Sequence, residues 1–465
     1  MRNILLGKSI KGILEEIKIL QEENRDNPLC GIYGIFLMVV SLVIGWMLLF
    51  TESIRVSLII ALFIMGIVGI FINPFIGIVG TVLVYFFLPG SAWYMAGSEW
   101  LHPLFVFIIV TMVCWLLKML TTRNVSIACP PQVWLLIMML ITMIFSSFYA
   151  GVPDVSWKVD NEFLKLMLIF FMFINLINSP KQLNLVYWII AICCGYLSLQ
   201  GCRSFFMEGY NRLENIGEAQ LKGSNELSSA LAMVIPFLFY KFFSKKKWEK
   251  SFALLIFPII FCIIVASSRG ASLQVVLMII LILFKTKVSP KVLISVGIVV
   301  LIALCFAPSQ YWGRMKTLES CQDEESANSR IELYKAGWRM WKDYPILGVG
   351  PGNFRYMCKE YYEGPGSKKR VSHNTYFQLL SETGTIGFLL YICFIFLILK
   401  DLQFVRKHAP PEIEGIQIKN IAASLEISLY GFLLYWMFGD RVYYVLPYFF
   451  YALSVSLKNI VISSK

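Results

Sequence analysis

The strongest constraint on this chain is a succession of continuous apolar runs, each long enough for the roughly 20 residues that a helix needs to cross a bilayer, separated by short polar connections. The runs do not alternate apolar with polar, so they exclude a membrane β-barrel, and they leave little sequence for a separate soluble domain. Of 465 residues, 58% are hydrophobic and 15% charged, and the mean hydropathy is +0.69. The fold class that follows is all-α: a polytopic bundle of fourteen spans, or twelve on a stricter reading, with a large extracytoplasmic loop containing amphipathic helices. Its expected divisions are a cytoplasmic amphipathic segment at 1–30, a transmembrane bundle at 31–308, an outer loop at 309–373 and C-terminal spans at 374–465. In the first segment Ile10, Ile13, Leu14, Ile17 and Leu20 share one face among charged residues. Charge interrupts the apolar stretch and no small-residue cleavage site follows it, so it does not read as a signal peptide.

A formal charge of +12 in a soluble protein points to nucleic acid; here membrane orientation accounts for much of it and nucleic acid is not an expected partner. With the N-terminus inside, Lys118, Lys181, Lys241, Lys245–Lys247, Lys285, Lys400, Arg406 and Lys407 fall on the cytoplasmic side. Two outer segments go against the bias. Residues 202–226 carry Arg203, Arg212 and Lys222, and residues 309–373 carry many Lys and Arg. Basic residues there are either retained for a ligand or simply carried across in long loops, which translocate regardless of charge.

Within 309–373, Ser329-Arg330-Ile331-Glu332 has capping-box spacing and predicts a helix from Arg330. Ile331, Tyr334, Trp338 and Trp341 follow as an aromatic stripe, with Lys335, Arg339 and Lys342 off it. Such a helix lies at the membrane interface with its basic residues toward phosphate groups, or packs its stripe on the bundle, or does both. The glycines of Gly348-Val-Gly350-Pro-Gly352-Asn353 lack the lysine and the βαβ context of a phosphate-cradling loop and read as a shape element. Ser267-Ser268-Arg269-Gly270 breaks a long apolar run into a hairpin. An arginine so close to hydrocarbon either snorkels or holds its guanidinium fork at a cavity mouth, suited to phosphate. His373 opens the span at 374–399. The positive end of a helix dipole disfavours imidazolium there and keeps the ring able to accept a proton; a plain capping role is the alternative. Glu382 lies about 180° around that helix, which argues against a direct pair with His373.

The eleven cysteines mostly sit in apolar spans as packing residues; Cys321 and Cys358 share the outer loop as a possible disulfide or as two free thiols. No Cys/His cluster has zinc spacing, and neither a metal nor a cofactor is expected. Four stretches taken together resemble the O-antigen ligase family of bacterial envelope glycosyltransferases: Arg212 with Gly223-Ser-Asn225-Glu-Leu; Ser268-Arg269-Gly270-Ala271; Ser329-Arg330 through Pro345-Ile-Leu-Gly348 to Phe354; and His373-Asn374-Thr-Tyr376 through Glu382 to Gly387. The resemblance covers roughly 200–400.

That resemblance implies metal-independent, inverting transfer of a glycan from undecaprenyl pyrophosphate to an acceptor hydroxyl, in a multi-pass protein of the bacterial inner membrane with its active site facing the periplasm. The loop 309–373 would be the catalytic loop. The acceptor is lipid A core, a protein or another polysaccharide. By the same carry-over Arg212, Arg269 and Arg330 hold the pyrophosphate, His373 activates the acceptor, and Asn374, Tyr376 and Glu382 support it. A polysaccharide polymerase and a protein O-oligosaccharyltransferase are the near rivals. A solute transporter is a distant one, opposed by the lack of a repeated intramembrane charge relay apart from Glu426.

Overall fold

The computed structural model describes residues 65–87, 103–122, 127–208, 213–214, 216–217, 219–286, 324–364 and 370–464. The segment 1–30, Arg212, Cys321 and the span read at 292–308 lie outside the described residues. The chain divides into two units, 1–77 and 78–465. Of the first, the described part comprises helical residues 65–72 and the start of α1 (Phe75–Phe87). The second continues through α2 (Pro103–Thr122), α3 (Pro131–Phe148), α4 (Pro153–Leu176), α5 (Pro180–Glu208), α6 (Ser224–Met233), α7 (Ile235–Phe242), α8 (Lys247–Ala253), α9 (Ile256–Val265), α10 (Arg269–Lys285), α11 (Glu324–Asp343), α12 (Phe354–Tyr361), α13 (Thr375–His408), α14 (Ile418–Tyr435) and α15 (Val445–Ser463).

There is no strand among the described residues, and seven described stretches are long and apolar enough to cross a bilayer. The protein is an all-α, multi-pass membrane protein. The run read as one span at 227–243 is two helices, because Pro236 lies in the first turn of α7 and supplies no N–H to continue α6.

Burial identifies the centre. Over their most apolar stretches α15 is 83% and α14 72% covered by protein, against 39% for α13. The sequence of α15 is apolar all round, which suits a helix with neighbours on every side. Its Phe449 stacks on Phe173 at 5.0 Å, and its Tyr451 meets Phe394 edge-on at 5.4 Å. Peripheral faces remain apolar where lipid replaces protein: Trp134, Met138, Ile141 and Phe145 of α3 and Leu389 and Phe396 of α13 are all exposed. Hydrocarbon gives such faces no reason to associate, so helix packing rests on close fit and on polar contacts between spans.

Those polar contacts gather the acids of the spans. Glu426 binds both Lys285 at the end of α10 and Arg406 at the end of α13, each at 2.6 Å. Asp401 takes Lys458 at 2.6 Å and Gln132 at 2.7 Å. Glu426, midway along α14, therefore sits in a closed ion cluster with the ends of α10 and α13.

The outer end is organised by a break in α13. Gly384 has φ 64° and ψ −167°, and the chain is helical on both sides of it. A continuous helix would bond Thr385 N–H to Ser381 O and Ile386 N–H to Glu382 O. Instead the segment 345–350 enters the gap: Val349 N–H donates to Ser381 O at 2.8 Å, Gly350 N–H to Glu382 O at 3.1 Å, Thr385 N–H to Pro345 O at 2.8 Å and Ile386 N–H to Ile346 O at 3.4 Å. The strap is fixed from beneath by Ser146 Oγ on Leu347 O, at 2.7 Å, and by Asn353. The side chain of Asn353 accepts from Val152 N–H at 2.7 Å and donates to Ser156 Oγ at 2.6 Å. The glycine-rich turn is thus a shape element, as its sequence suggests.

Two expectations for α11 change. The helix starts at Glu324, so Ser329 lies inside it instead of capping it, and its hydroxyl accepts from Arg370. Its buried stripe is Leu333, Ala336 and Met340, packed with Val349, Phe354, Cys358 and Tyr362. Of the aromatic stripe, Ile331 and Trp338 are exposed, while Tyr334 stacks on Phe377 at 5.1 Å and Trp341 Nε1 donates to Thr385 Oγ1 at 2.9 Å. Lys335 and Arg339 do not offer free charge: both pair with Glu332, and Arg339 also pairs with Glu363. Cys358 is buried within this packed cluster, and Cys321, its possible disulfide partner, lies outside the described residues.

At Gly384 a Cβ would lie 2.2 Å from Ile346 O, and at Gly348 one would lie 2.4 Å from the Glu382 carbonyl carbon. Gly384→Ala should therefore lower stability by on the order of 3 kcal/mol or more, strain and clash together. Gly415→Ala, with φ +77° but open space around it, should lose only about 1 kcal/mol. Thermal unfolding of both variants in detergent, followed by size-exclusion chromatography, checks this; equal losses would contradict the strap.

Candidate active site

His373 immediately precedes α13 and has φ 51°, a left-handed conformation that a non-glycine residue holds only when its surroundings impose it. What imposes it is Asp440. One carboxylate oxygen accepts the His373 N–H at 3.1 Å and the other accepts the Ser372 hydroxyl. Asn374 follows as the N-cap, its side-chain oxygen accepting from Tyr376 N–H at 3.0 Å and Phe377 N–H at 3.3 Å. The Thr375 hydroxyl donates to Gly439 O and accepts from Arg441 N–H at 3.0 Å. Tyr376 Oη reaches Leu433 O at 3.0 Å. The start of α13 is therefore riveted to the short turn between α14 and α15.

The same turn gathers the other stretches. Arg441 is almost wholly buried. Its guanidinium donates to Glu226 Oε1 at 2.8 Å and lies between the rings of Tyr444, at 4.5 Å, and Tyr435, at 5.4 Å. Tyr435 Oη also holds Asn225 O, at 2.9 Å. Tyr334 of α11 donates to Met437 O at 3.2 Å. A Cβ on Gly270 would lie 2.9 Å from Phe438, so the hairpin that carries Arg269 closes directly on the turn. All four stretches thus meet on residues 435–441.

Among the sequence-derived candidates, the structure brings His373 and Arg330 together and sets Arg269 on the side of the turn where Gly270 packs. Ser268 caps α10 just before Arg269. Arg212 lies outside the described residues. Neither Arg330 nor Arg269 has a carboxylate partner among the described residues. Asn374 and Tyr376 are spent on the cap and on packing. Glu382 is buried and accepts from Tyr443 Oη at 3.1 Å, Phe354 N–H at 3.4 Å and Gln378 Nε2 at 3.4 Å. It does not pair with His373, as the helical step predicts.

Asp440, Arg441 and Arg370 were not singled out from sequence. A signal existed for the first two: a charged pair squeezed between two strongly apolar spans is costly unless something compensates it, the reasoning that picked out Arg269.

His373 is exposed, yet partial desolvation by the surrounding protein is the largest influence holding its pKa below the ordinary 6.5; the cations of Arg330, Arg441 and Arg370 act in the same direction and the Asp440 carboxylate opposes them. At neutral pH the ring is uncharged and has a lone pair available near Arg330 and Arg370, which have no carboxylate partner among the described residues. The arrangement suits proton removal from a weakly acidic hydroxyl next to a polyanion.

Residues 252–392 match the family described as O-Antigen ligase. The matched stretch runs from the end of α8 through residues 309–373 into α13 and contains Arg269, Arg330, His373 and Glu382. It excludes Arg212 and the Asp440–Arg441 turn. A comparison with curated proteins finds no match. The match supports a glycosyltransferase of the O-antigen ligase or polymerase type.

Diethyl pyrocarbonate, which acylates neutral imidazole, should modify His373 with a midpoint below pH 6.5, read by mass spectrometry. Asp440→Asn removes the one neighbour that favours the charged ring and should move the midpoint further down; an upward shift would contradict this electrostatic reading.

Proposed function

From that match we propose that the protein transfers a glycan from a polyprenyl diphosphate, undecaprenyl pyrophosphate by the family resemblance, to an acceptor hydroxyl. The reaction takes place at the outer face of a bacterial inner membrane. The observation that carries this reading is a neutral imidazole set near Arg330 and Arg370, for which no described carboxylate is a partner. In a paired cluster such as Glu426 with Lys285 and Arg406, the charges satisfy each other. At His373 the positive charge faces outward and is free for a polyanion.

The step is a substitution at the anomeric carbon. The acceptor oxygen forms the new C–O bond on the face opposite the diphosphate, the old C–O bond breaks, and its electron pair leaves on the diphosphate oxygen. His373 takes the acceptor proton as attack proceeds, worth typically about 10²–10⁴-fold for a positioned base. Arg330 and Arg269, with Arg212 by the resemblance, hold the diphosphate and stabilise the charge that grows on it, by donors fixed before the reaction begins. Asp440 contacts the main chain of His373 and positions it. Asn374 and Tyr376 fix the start of α13 beneath the ring, and Glu382 holds the strap and α12 against the broken helix. The prenyl tail lies along the lipid-facing helices and the acceptor approaches from the outer loop.

The expected acceptor is the hydroxyl of a second glycan, such as lipid A core. Purified protein in liposomes, given a lipid-linked oligosaccharide with and without a core acceptor, should transfer only when the acceptor is present; ladders without it would make the protein a polymerase, and transfer to a serine-containing protein an O-oligosaccharyltransferase. His373→Gln should reduce transfer by about 100-fold or more. A base must be uncharged, so the wild-type rate should fall as pH drops through the His373 pKa, placing the acid limb below pH 6.5. Full activity in His373→Gln would refute the assignment.

A further inference from the structure

We infer that Arg370 is a further donor-binding residue, adding its guanidinium to those of Arg330, Arg269 and, by the resemblance, Arg212 at the diphosphate. The inference rests on the diphosphate reading of the site and deepens it. Arg370 donates to Ser329 Oγ, the residue next to Arg330, and to Tyr362 Oη at 3.3 Å, and its guanidinium lies 5.5 Å from the centre of the Tyr362 ring. It is also three residues from His373. These contacts aim and stiffen the side chain without neutralising it, because both acceptors are uncharged hydroxyls.

Among the described carboxylates none pairs with it: Glu332 pairs with Lys335 at 3.3 Å and Arg339 at 2.7 Å, and Glu363 pairs with Arg339 at 2.9 Å. Asp440, the remaining carboxylate of the mouth, is bound to Ser372 and to the His373 main chain. Arg370 thus keeps a full positive charge that no described carboxylate compensates. Both N–H groups of its hydroxyl contacts lie on one nitrogen, Nη1, and no described partner takes Nη2. A half-exposed guanidinium with one nitrogen anchored and the other side of its fork open is the form that engages a phosphate oxygen in a planar, directional contact.

The experiment measures donor KM, kcat and inhibition by inorganic pyrophosphate for wild type and for Arg370→Gln, Arg370→Lys, Arg330→Gln and His373→Gln in liposomes. A direct charged contact to the diphosphate predicts that Arg370→Gln raises donor KM by about 10-fold or more. It should weaken pyrophosphate inhibition in the same proportion. Arg370→Lys should recover part of both, since it restores the charge and not the fork. If Arg330→Gln shows these losses while Arg370→Gln leaves donor KM and pyrophosphate inhibition unchanged, Arg370 only braces the loop and the inference fails. It fails equally if Arg370→Gln lowers kcat alone. If Arg330→Gln and His373→Gln also leave transfer intact, the diphosphate reading itself fails.

Discussion

The end of this protein that carries His373 depends on a single interrupted helix. Breaking α13 at Gly384 leaves carbonyls and N–H groups unpaired within the helix at a buried stretch, and an unpaired backbone group there costs several kcal/mol. The strap at 345–350 takes up four of them, and in doing so ties the outer loop to a spanning helix with main-chain hydrogen bonds. Loop and helix then fold as one piece. The strap is anchored in turn to the outer ends of α3 and α4 through Ser146 and Asn353, so α11 and α12 have a rigid floor. Glycines at 348 and 384 are required because each backbone passes within contact distance of the other.

On that floor the site is assembled by a turn of seven residues, 435–441. Burying Arg441 is favourable only because Glu226 and two tyrosine rings receive it. This ion pair, with the Tyr435 contact to Asn225, joins the start of α6 to the start of α15. Asp440, next to Arg441, then reaches His373. The same turn therefore couples a structural charge, which is neutralised, to a mouth in which positive charge is left exposed. The contrast with the closed Glu426 cluster separates charge that holds helices together from charge available to a ligand.

Much of the fold was legible because its cause is local. Apolar length gives spans, and the Gly/Pro pattern of 345–352 gave a turn of defined shape. The resemblance singled out His373, Arg269 and Arg330; of these His373 meets the turn directly, through Asp440, and Gly270 beside Arg269 packs on Phe438. The helix that begins at Glu324 shows the limit. A capping-box spacing at Ser329 is a real local preference, yet the hydroxyl serves Arg370 and the helix runs through it. Its aromatic spacing left membrane contact and packing both open, and the face that packs is centred on Leu333, Ala336 and Met340, because the surface facing the helix consists of Val349, Phe354 and Cys358.

By itself, then, the sequence determined that this is a polytopic helical membrane protein, while its basic outer-loop residues kept two readings and His373 entered as a candidate base through the resemblance. Periodicity and composition are properties of neighbouring residues. Only the tertiary structure decided which charges are neutralised and which remain free. Asp440 meets His373 across 67 positions and Arg441 meets Glu226 across 215, so no local pattern records either pairing. They form because a broken helix and a short turn bring distant segments to one place, where burying an unpaired charge or an unbonded amide costs more than the ordering needed to pair it.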